Sequence, residues 1–228
     1  MPTKAKAYIA IVIVLGALIL LTCALAEPQL PDFRRFLECF ILAILASTFK
    51  IRPAGLQSSI SLNFVLFIIS IATLSLTESL LIAAGCAVVQ CLWRYRTRPT
   101  AVQVLFNVSA LMIAVFAASI STERLRVGPA YVPGLVMAGV ILFLANTWLV
   151  SLVLALLKEK SPLAIWRECH ACAFPYYVAG AVVAVAISAS IKVCGWEPAL
   201  AMLPSVYLLY AYYDAHVSKS VLAGKEAH

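Results

Sequence analysis

Eight long apolar stretches, separated by short polar segments, dominate the pattern of this sequence. They are 7–26, 34–49, 60–76, 79–93, 102–120, 132–157, 173–193 and 198–215. A helix that crosses the hydrocarbon core of a membrane needs about 20 apolar residues, so each stretch predicts a transmembrane helix or most of one. The pattern therefore predicts an all-α membrane protein, a polytopic helical bundle of about eight transmembrane helices, with roughly six to eight compatible with the boundaries.

The third and fourth stretches are joined by the very short polar segment Thr77–Ser79. Because the fourth stretch is also short, this pair is predicted to form either a full hairpin or a re-entrant one. Residues 1–215 are predicted to be a single polytopic transmembrane domain. Residues 216–228 are predicted to be a short cytoplasmic tail, which is also a candidate start of a signalling linker.

The composition agrees with this interpretation. Hydrophobic residues make up 64% of the chain and charged residues 12%, and the mean hydropathy is +1.00. A soluble domain usually has about 45–50% apolar and about 25% charged residues, and a disordered chain has few apolar residues and abundant charge. The net charge of +7 comes from basic residues dispersed between apolar stretches. Because these basic residues are not clustered on one face, no nucleic acid is predicted as a partner. The apolar composition predicts that the partner of this chain is the lipid bilayer.

The basic residues also predict an orientation. In an eight-span arrangement, 12 Lys and Arg residues fall on one side of the membrane and 5 on the other. Basic residues accumulate in cytoplasmic loops, so both termini are predicted to be cytoplasmic and the location to be the bacterial inner membrane, multi-pass. The first stretch also has features of a cleaved signal peptide, with Ala24-Leu25-Ala26 before Glu27, and it is interpreted as a retained helix because its apolar core is long.

Polar residues inside the apolar stretches are the first candidate functional residues, because burying them in lipid is costly unless they find partners. Asn63, Asn107 and Asn146 are all predicted on the cytoplasmic side of the membrane midplane, the last beside Thr147 and Trp148. An amide both donates and accepts hydrogen bonds, so such a set can link helices. The alternative is a polar ligand cavity or hinge.

Two acidic residues are candidates on the outer side. Glu38 lies about one turn into the second stretch and is predicted to pair with Arg34 or with Lys192, unless it belongs to a solvated interfacial cluster. Glu78 is predicted to help line an outward-facing pocket. The other residues of that pocket would be Ser75, Thr77, Tyr131 and Trp196.

The segment Cys169-His170-Ala171-Cys172 is a weak candidate metal or redox site. Thiolates and imidazole bind zinc, but a closed site needs about four ligands, and His216 would have to supply the fourth. The other cysteines are interpreted as small apolar residues, and no cofactor is predicted. The sequence has no phosphate loop, zinc-protease motif or hydrolase nucleophile motif, so an enzyme is not predicted.

Small residues form two stripes that favour close helix packing. They are Ala110, Ala114 and Ala118 on the fifth stretch and Gly180, Ala184 and Ser188 on the seventh. Packing within the chain is the first interpretation of these stripes. A homodimer is the alternative.

Four short segments are similar to a known family when their order and spacing are taken together. They are Ser61–Phe64, Gln103–Asn107, Asn146–Val150 and Lys160–Glu168. Over about residues 34–215 the chain resembles the prokaryotic vitamin-uptake-like sensor domain, which is related to the substrate-binding components of energy-coupling-factor vitamin transporters. The resemblance implies a bundle that binds a small molecule from the outer side and signals through its last helix. Asn107 and Asn146 correspond to motif positions.

The sequence therefore leads to one main functional hypothesis and two alternatives. The main one is a non-enzymatic membrane sensor that binds a small ligand and reports to a cytoplasmic signalling domain or partner. The first alternative is the substrate-binding component of a vitamin-type transporter, which would dock on a coupling protein. The second is an intramembrane enzyme.

Overall fold

The computed structural model describes residues 2–27, 32–48, 50–51, 60–61, 63–93, 99–123, 131–170 and 174–197 of the chain. Within these ranges the fold consists of eight helices and one pair of two-residue strands. The elements are α1 (Thr3–Ala26), α2 (Phe33–Thr48), β1 (Lys50–Ile51), β2 (Ile60–Ser61), α3 (Asn63–Thr73), α4 (Leu76–Leu92), α5 (Ala101–Thr122), α6 (Tyr131–Lys158), α7 (Pro162–Cys169) and α8 (Phe174–Cys194). The predicted all-helical character is thereby confirmed.

Four of the helices are long and apolar enough to cross a membrane. They are α1, α5, α6 and the Tyr177–Cys194 part of α8. Helices α3 and α4 are apolar but shorter. The count of eight spans stays a prediction, and the predicted eighth span 198–215 and the tail 216–228 lie outside the described residues.

The helices run in alternating directions, which gives the bundle two ends. At one end, Thr77 at the start of α4 meets Glu27 after α1, with 3.4 Å between the hydroxyl and carboxylate oxygens. Glu38, near the start of α2, bonds to Trp196 just after α8. We call this the Glu38 end.

At the opposite end, the beginning of one helix likewise meets the end of another. Asn63 at the start of α3 bonds to Ser47 at the end of α2. Tyr8 near the start of α1 donates to the carbonyl of Leu149 in α6, at 3.1 Å. We call this the Trp166 end, after the residue that anchors α7 there.

Helix α3 lies at the centre of the bundle. Its residues from Asn63 to Ile71 are all buried, against α2, α4, α5, α6 and α8. At 1.5 Å per residue its 11 residues rise about 16 Å, less than the roughly 30 Å of a bilayer core. The predicted span 60–76 is therefore too long, because Ile60–Ser61 pairs with Lys50–Ile51 in an antiparallel ladder and the helix ends at Thr73.

The connection between α3 and α4 also differs from the prediction. Thr77–Ser79 is not a linker but the first turn of α4, and the chain reverses at Leu74 and Ser75. The Ser75 hydroxyl accepts from the Glu78 N–H, and the Glu78 carboxylate accepts from the Ser75 N–H at 2.8 Å. This reciprocal capping box satisfies donors that a helix start leaves unpaired, so the helix can begin there without a longer loop.

A glycine sets the contact between α1 and α5. A Cβ atom added at Gly16 would lie 2.5 Å from the Cβ of Ser109, so only glycine lets the two backbones approach this closely. The opposite face of α1 is exposed, with Ile11 at 64% and Leu25 at 73%. These residues form the surface on which we expect lipid.

Both stripes of small residues face the interior of one chain. Ala110, Ala114 and Ala118 are buried in α5, and Ala184 and Ser188 are buried in α8. A Cβ added at Gly180 would lie 3.3 Å from the Phe64 ring. The stripes therefore pack helices within the chain, as the first interpretation predicted.

Helix α7 lies in a segment for which no element was predicted. Ser161 is its N-cap and Pro162 occupies its first turn, where a proline costs no hydrogen bond. Ile165 is buried, whereas Leu163, Arg167 and Glu168 are exposed. The helix is amphipathic and packs its buried face on α6.

Candidate functional site

The amide of Asn63 links α3 to α2. Its nitrogen donates to the hydroxyl of Ser47, and that hydroxyl donates in turn to the carbonyl of Ala43 at 2.8 Å. Asn63 and Ser47 are both buried. A chain of hydrogen bonds at this depth fixes the register of the two helices.

The other two amides are placed differently. Asn107 is exposed, and its amide nitrogen lies 3.2 Å from the sulfur of Cys91 in α4. Asn146 is half-buried in α6. Asn63 and Asn107 therefore bond to different helices, an arrangement that favours linking helices over a shared polar cavity.

Thr147 and Trp148 hold α7 in place. The indole N–H of Trp166 donates to the Thr147 hydroxyl at 3.0 Å, and that hydroxyl donates to the carbonyl of Phe143 at 2.7 Å. The rings of Trp148 and Trp166 stack, with centroids 6.0 Å apart and planes 13° apart. We call these three residues, Thr147, Trp148 and Trp166, the Trp166 latch.

An aromatic cluster connects the Trp166 latch to the centre of the bundle. Phe143 lies 6.2 Å from Trp166 and 4.5 Å from Tyr177, ring centroid to ring centroid. Tyr177 in turn meets the Phe64 ring edge to face at 4.6 Å. Helices α3, α6, α7 and α8 are thus joined by continuous ring contacts, which are geometrically specific as well as apolar.

The candidate metal site is only partly described. Cys169 ends α7 and His170 caps it, its backbone N–H bonding to the Trp166 carbonyl at 2.8 Å, whereas Cys172 lies outside the described residues. Within the described ranges, no group of three or more His, Cys, Asp or Glu side chains is placed to hold a metal ion. The prediction about Cys169, His170 and Cys172 therefore stays untested.

Burial of His170 has a consequence for stability at low pH. The Nε2 atom is buried without a hydrogen-bond partner among the described residues, and this burial lowers the pKa of His170 below its ordinary value of 6.5. The unfolded chain takes up the proton near that value while the folded chain resists it. The stability that depends on a neutral His170 is therefore fully present above pH 6.5, and the free energy of unfolding decreases as the pH falls below that value.

We expect acidification from about pH 7.5 to about pH 5.5 to lower the Tm of the parent chain more than that of His170→Gln. Thermal unfolding of both proteins in the same detergent measures the two differences. Equal losses of Tm would show that another group is responsible.

At the opposite end, Glu38 ties the end of α8 to α2. The Trp196 indole N–H donates to one Glu38 oxygen at 2.6 Å, and the other oxygen pairs with the Arg34 Nε at 3.0 Å. Arg34 also pairs with Glu197. We call Arg34, Glu38, Trp196 and Glu197 the α8 clasp.

The clasp settles which of the two predicted partners Glu38 takes. It pairs with Arg34, as one alternative predicted. Lys192 does not pair with Glu38 and instead lies over the Tyr131 ring, its nitrogen 3.2 Å from the centroid. This cation–π contact attaches α8 to α6 at the same end.

Glu78 does not line an open pocket. Its side chain is 1% exposed, and one oxygen is occupied by the Ser75 N–H of the capping box. The other oxygen, Oε1, is buried without a partner among the described residues. Thr77 is also buried, and Ser75 caps the helix rather than facing a ligand.

The structure adds residues that sequence reasoning did not select as site residues. Ser47, Cys91 and Trp166 each bond to a candidate residue from another helix. The Ser-x-x-Glu pattern at Ser75 and Glu78 is a recognisable helix-start signal and could have identified the capping box. No signal in the sequence points to these three hydrogen bonds between helices.

No family model matches this chain, and neither the curated proteins nor the solved structures gave a match.

Proposed function

We propose that this protein is a multi-pass sensor of the bacterial inner membrane that binds a small ligand at its Glu38 end and reports to a cytoplasmic partner at its Trp166 end. In this proposal the chain threads the bilayer about eight times with both termini in the cytoplasm, and the Trp166 end is the cytoplasmic one. The 12-to-5 division of basic residues supports that orientation.

One observation carries the proposal: α8 is held by specific side chains at both of its ends. The α8 clasp and the Lys192–Tyr131 contact hold it at the Glu38 end. Tyr177 holds it at the other end, against rings that also contact the Trp166 latch. A shift of α8 at one end therefore bears on α7 at the other.

The clasp is suited to competition by a ligand. The Arg34 side chain is 73% exposed and Glu38 is 33% exposed, and an ion pair this accessible to water contributes little to stability. A ligand that takes over the Glu38 carboxylate or the Trp196 indole replaces weak contacts and favours a second arrangement of α8. It can do so only by binding the two arrangements unequally.

The charges at this end favour a cationic ligand. Within the α8 clasp two carboxylates, those of Glu38 and Glu197, share the single guanidinium of Arg34. An indole and a phenol ring next to carboxylates form a setting that binds organic cations. The resemblance to vitamin-uptake-like sensor domains supports a vitamin-sized ligand.

The test uses three vitamins that differ in charge, added to the purified full chain in detergent. We expect cationic thiamine to raise the Tm and anionic biotin to leave it unchanged, with riboflavin as the uncharged reference. Glu38→Gln should abolish the thiamine effect, because it removes the charge that the cation would contact. Glu123→Gln is the matched control, since Glu123 is an exposed carboxylate at the same end.

Hydrogen exchange separates signalling from capture. If the protein is a sensor, the ligand should change amide exchange in α7 as well as around the clasp. A change confined to the clasp would contradict signalling and support capture alone. If none of the three vitamins changes the Tm, the proposal that the protein binds a vitamin-sized ligand is contradicted.

The exposure of Ala10, Ala17 and Ala24 favours the transporter component as the second candidate, because small exposed side chains on α1 allow another helix to approach closely. Their spacing by seven residues, without an i, i+4 pair, counts against it. Co-purification of the chain with a transporter ATPase module would support this candidate. Loss of that association in Ala17→Leu, but not in Leu18→Ala on the same exposed surface, would locate the contact.

A further inference from the structure

The basic side chains at the two ends of the bundle differ in whether they have partners. At the Glu38 end, Arg34 and Arg35 make ion pairs and Lys192 lies over the Tyr131 ring. At the Trp166 end, five exposed basic side chains are described, and none of them makes an ion pair with a described residue. They are Lys4, Lys6, Lys158, Lys160 and Arg167.

The acidic side chains described at the Trp166 end do not neutralise these bases. There are two, Glu159 and Glu168, which are both exposed and make no ion pair with a described base. Five positive charges against two negative ones leave the described part of this end with a net positive charge. Such a surface attracts anions, and the anions nearest to it in a membrane are lipid headgroups.

Two of the unpaired lysines lie at the depth of those headgroups. Lys4 and Lys6 are in the first turns of α1, a helix of 24 residues and about 36 Å. The hydrocarbon core is about 30 Å thick, so if α1 crosses it the first residues of the helix lie at its edge. The hydroxyl of Tyr8, in the next turn, reaches the Leu149 carbonyl and attaches this part of α1 to α6.

An exposed apolar stripe continues along α1 from Lys4. Its residues Ile11, Leu15 and Leu18 are 64%, 45% and 51% exposed. At about 100° per residue, all three lie within about 40° of Lys4 around the helix. Ile11 and Leu15 lie about 10 Å and about 16 Å from Lys4 along the axis, which is the depth that the acyl chains of one leaflet cover.

This combination matches an anionic phospholipid better than a protein helix. A helix that packs closely in a membrane needs small side chains at the contact, whereas Ile11, Leu15 and Leu18 are large and branched. The exposed alanines of α1, among them Ala17, lie on a different side of its exposed surface. A phospholipid supplies a phosphate for the lysines and a flexible chain that adapts to large apolar side chains.

We propose that the start of α1 is a docking surface for an anionic phospholipid. Lys4 and Lys6 contact its phosphate group, and an acyl chain lies along Ile11, Leu15 and Leu18. The lipid supplies the negative charge that the described residues of this end lack. The proposal does not rest on the sensing function, and it holds whichever end of the bundle is cytoplasmic.

The experiment measures the Tm of the full-length protein in detergent micelles that contain phosphatidylcholine, as phosphatidylglycerol replaces it at constant total lipid. We expect a saturable rise in Tm with phosphatidylglycerol that is largely lost in about 1 M NaCl, where charges are screened within about 3 Å. Glycerol phosphate, which is the headgroup without acyl chains, should not reproduce the rise. An equal rise with glycerol phosphate would overturn the proposal and identify a site for soluble anions.

Lys4→Gln combined with Lys6→Gln should weaken the apparent affinity for phosphatidylglycerol roughly thirtyfold. Each lysine near an anionic surface contributes a factor of about five, so the loss of two multiplies to this value. Lys4→Arg combined with Lys6→Arg keeps both charges and should keep the response. Arg35→Gln removes a positive charge at the opposite end and should keep it as well.

Three further results would overturn the proposal. The first is an equal Tm in the two lipids, and the second is a full response in the double glutamine variant. The third is an equal loss of response in Arg35→Gln, which would show that only the total charge of the protein matters. None of these results bears on the vitamin titration, because that test uses no anionic lipid.

Discussion

Gly16→Val is expected to disrupt the contact between α1 and α5. The first added carbon atom would lie 2.5 Å from the Ser109 Cβ and 2.8 Å from its Cα, so the helix backbones must separate. Overpacking of this kind costs about 1–3 kcal/mol, and the two further methyl groups of valine place it at about 3 kcal/mol or more. The measurements are the Tm in detergent and the yield of monodisperse protein.

Two further variants make this prediction specific. Ala17→Val introduces the same β-branched side chain at the next position of α1, on the exposed face, and should change the Tm little. Ser109→Gly should partly restore the Gly16→Val protein, because it removes two of the three nearest atoms. Equal losses of Tm in Gly16→Val and Ala17→Val would contradict the close contact.

Trp166→Ala is expected to release α7 from the bundle. The substitution removes the hydrogen bond to Thr147, the stack on Trp148 and the contact with Phe143. Truncating a large aromatic residue to alanine costs about 3–5 kcal/mol of stabilising free energy. Because Trp166 is half-buried, we expect a loss near the lower value, about 3 kcal/mol. That corresponds to a roughly 100-fold increase in local opening.

Limited trypsin digestion reports this opening, since Arg167 lies in the middle of the released segment and is already exposed. Cleavage after Arg167 should become much faster in Trp166→Ala. Trp93→Ala is the control, because Trp93 is a 48%-exposed tryptophan at the end of α4 that lies at the same end of the bundle. Unchanged cleavage in Trp166→Ala, or equal acceleration in both variants, would show that the latch does not hold α7.

Structural features that involve only residues close in sequence could be predicted from local patterns. The apolar stretches predicted helices α1 to α6 and α8 with boundaries that differ from the structure mostly by a few residues. The Arg34–Glu38 pair is four residues apart on one helix and is one of three predicted alternatives, beside Lys192 and a solvated interfacial cluster. The capping box of Ser75 and Glu78 was equally local, and it was missed because Thr77–Ser79 was interpreted as a linker.

Contacts between distant residues could not be predicted from those patterns. Trp196 bonds to Glu38 across 158 positions, and Trp166 bonds to Thr147 across 19. The choice between Arg34 and Lys192 as partner of Glu38 also depended on where α8 ends relative to Tyr131. Which residues of distant segments meet is set by how the helices pack, and the order of residues along a single sequence does not show it.

The sequence by itself determined that this chain is helical and rich in segments suited to lipid, because hydrocarbon leaves a backbone no hydrogen-bond partners outside a helix. Only the tertiary structure decided which face of each helix is buried. Ile9 and Ile11 are both isoleucines in α1, yet Ile9 is buried and Ile11 is exposed. When both the interior and the surroundings are apolar, hydrophobicity no longer distinguishes them, and the shape of small residues such as Gly16 and the pairing of rare polar groups such as Asn63 decide the packing.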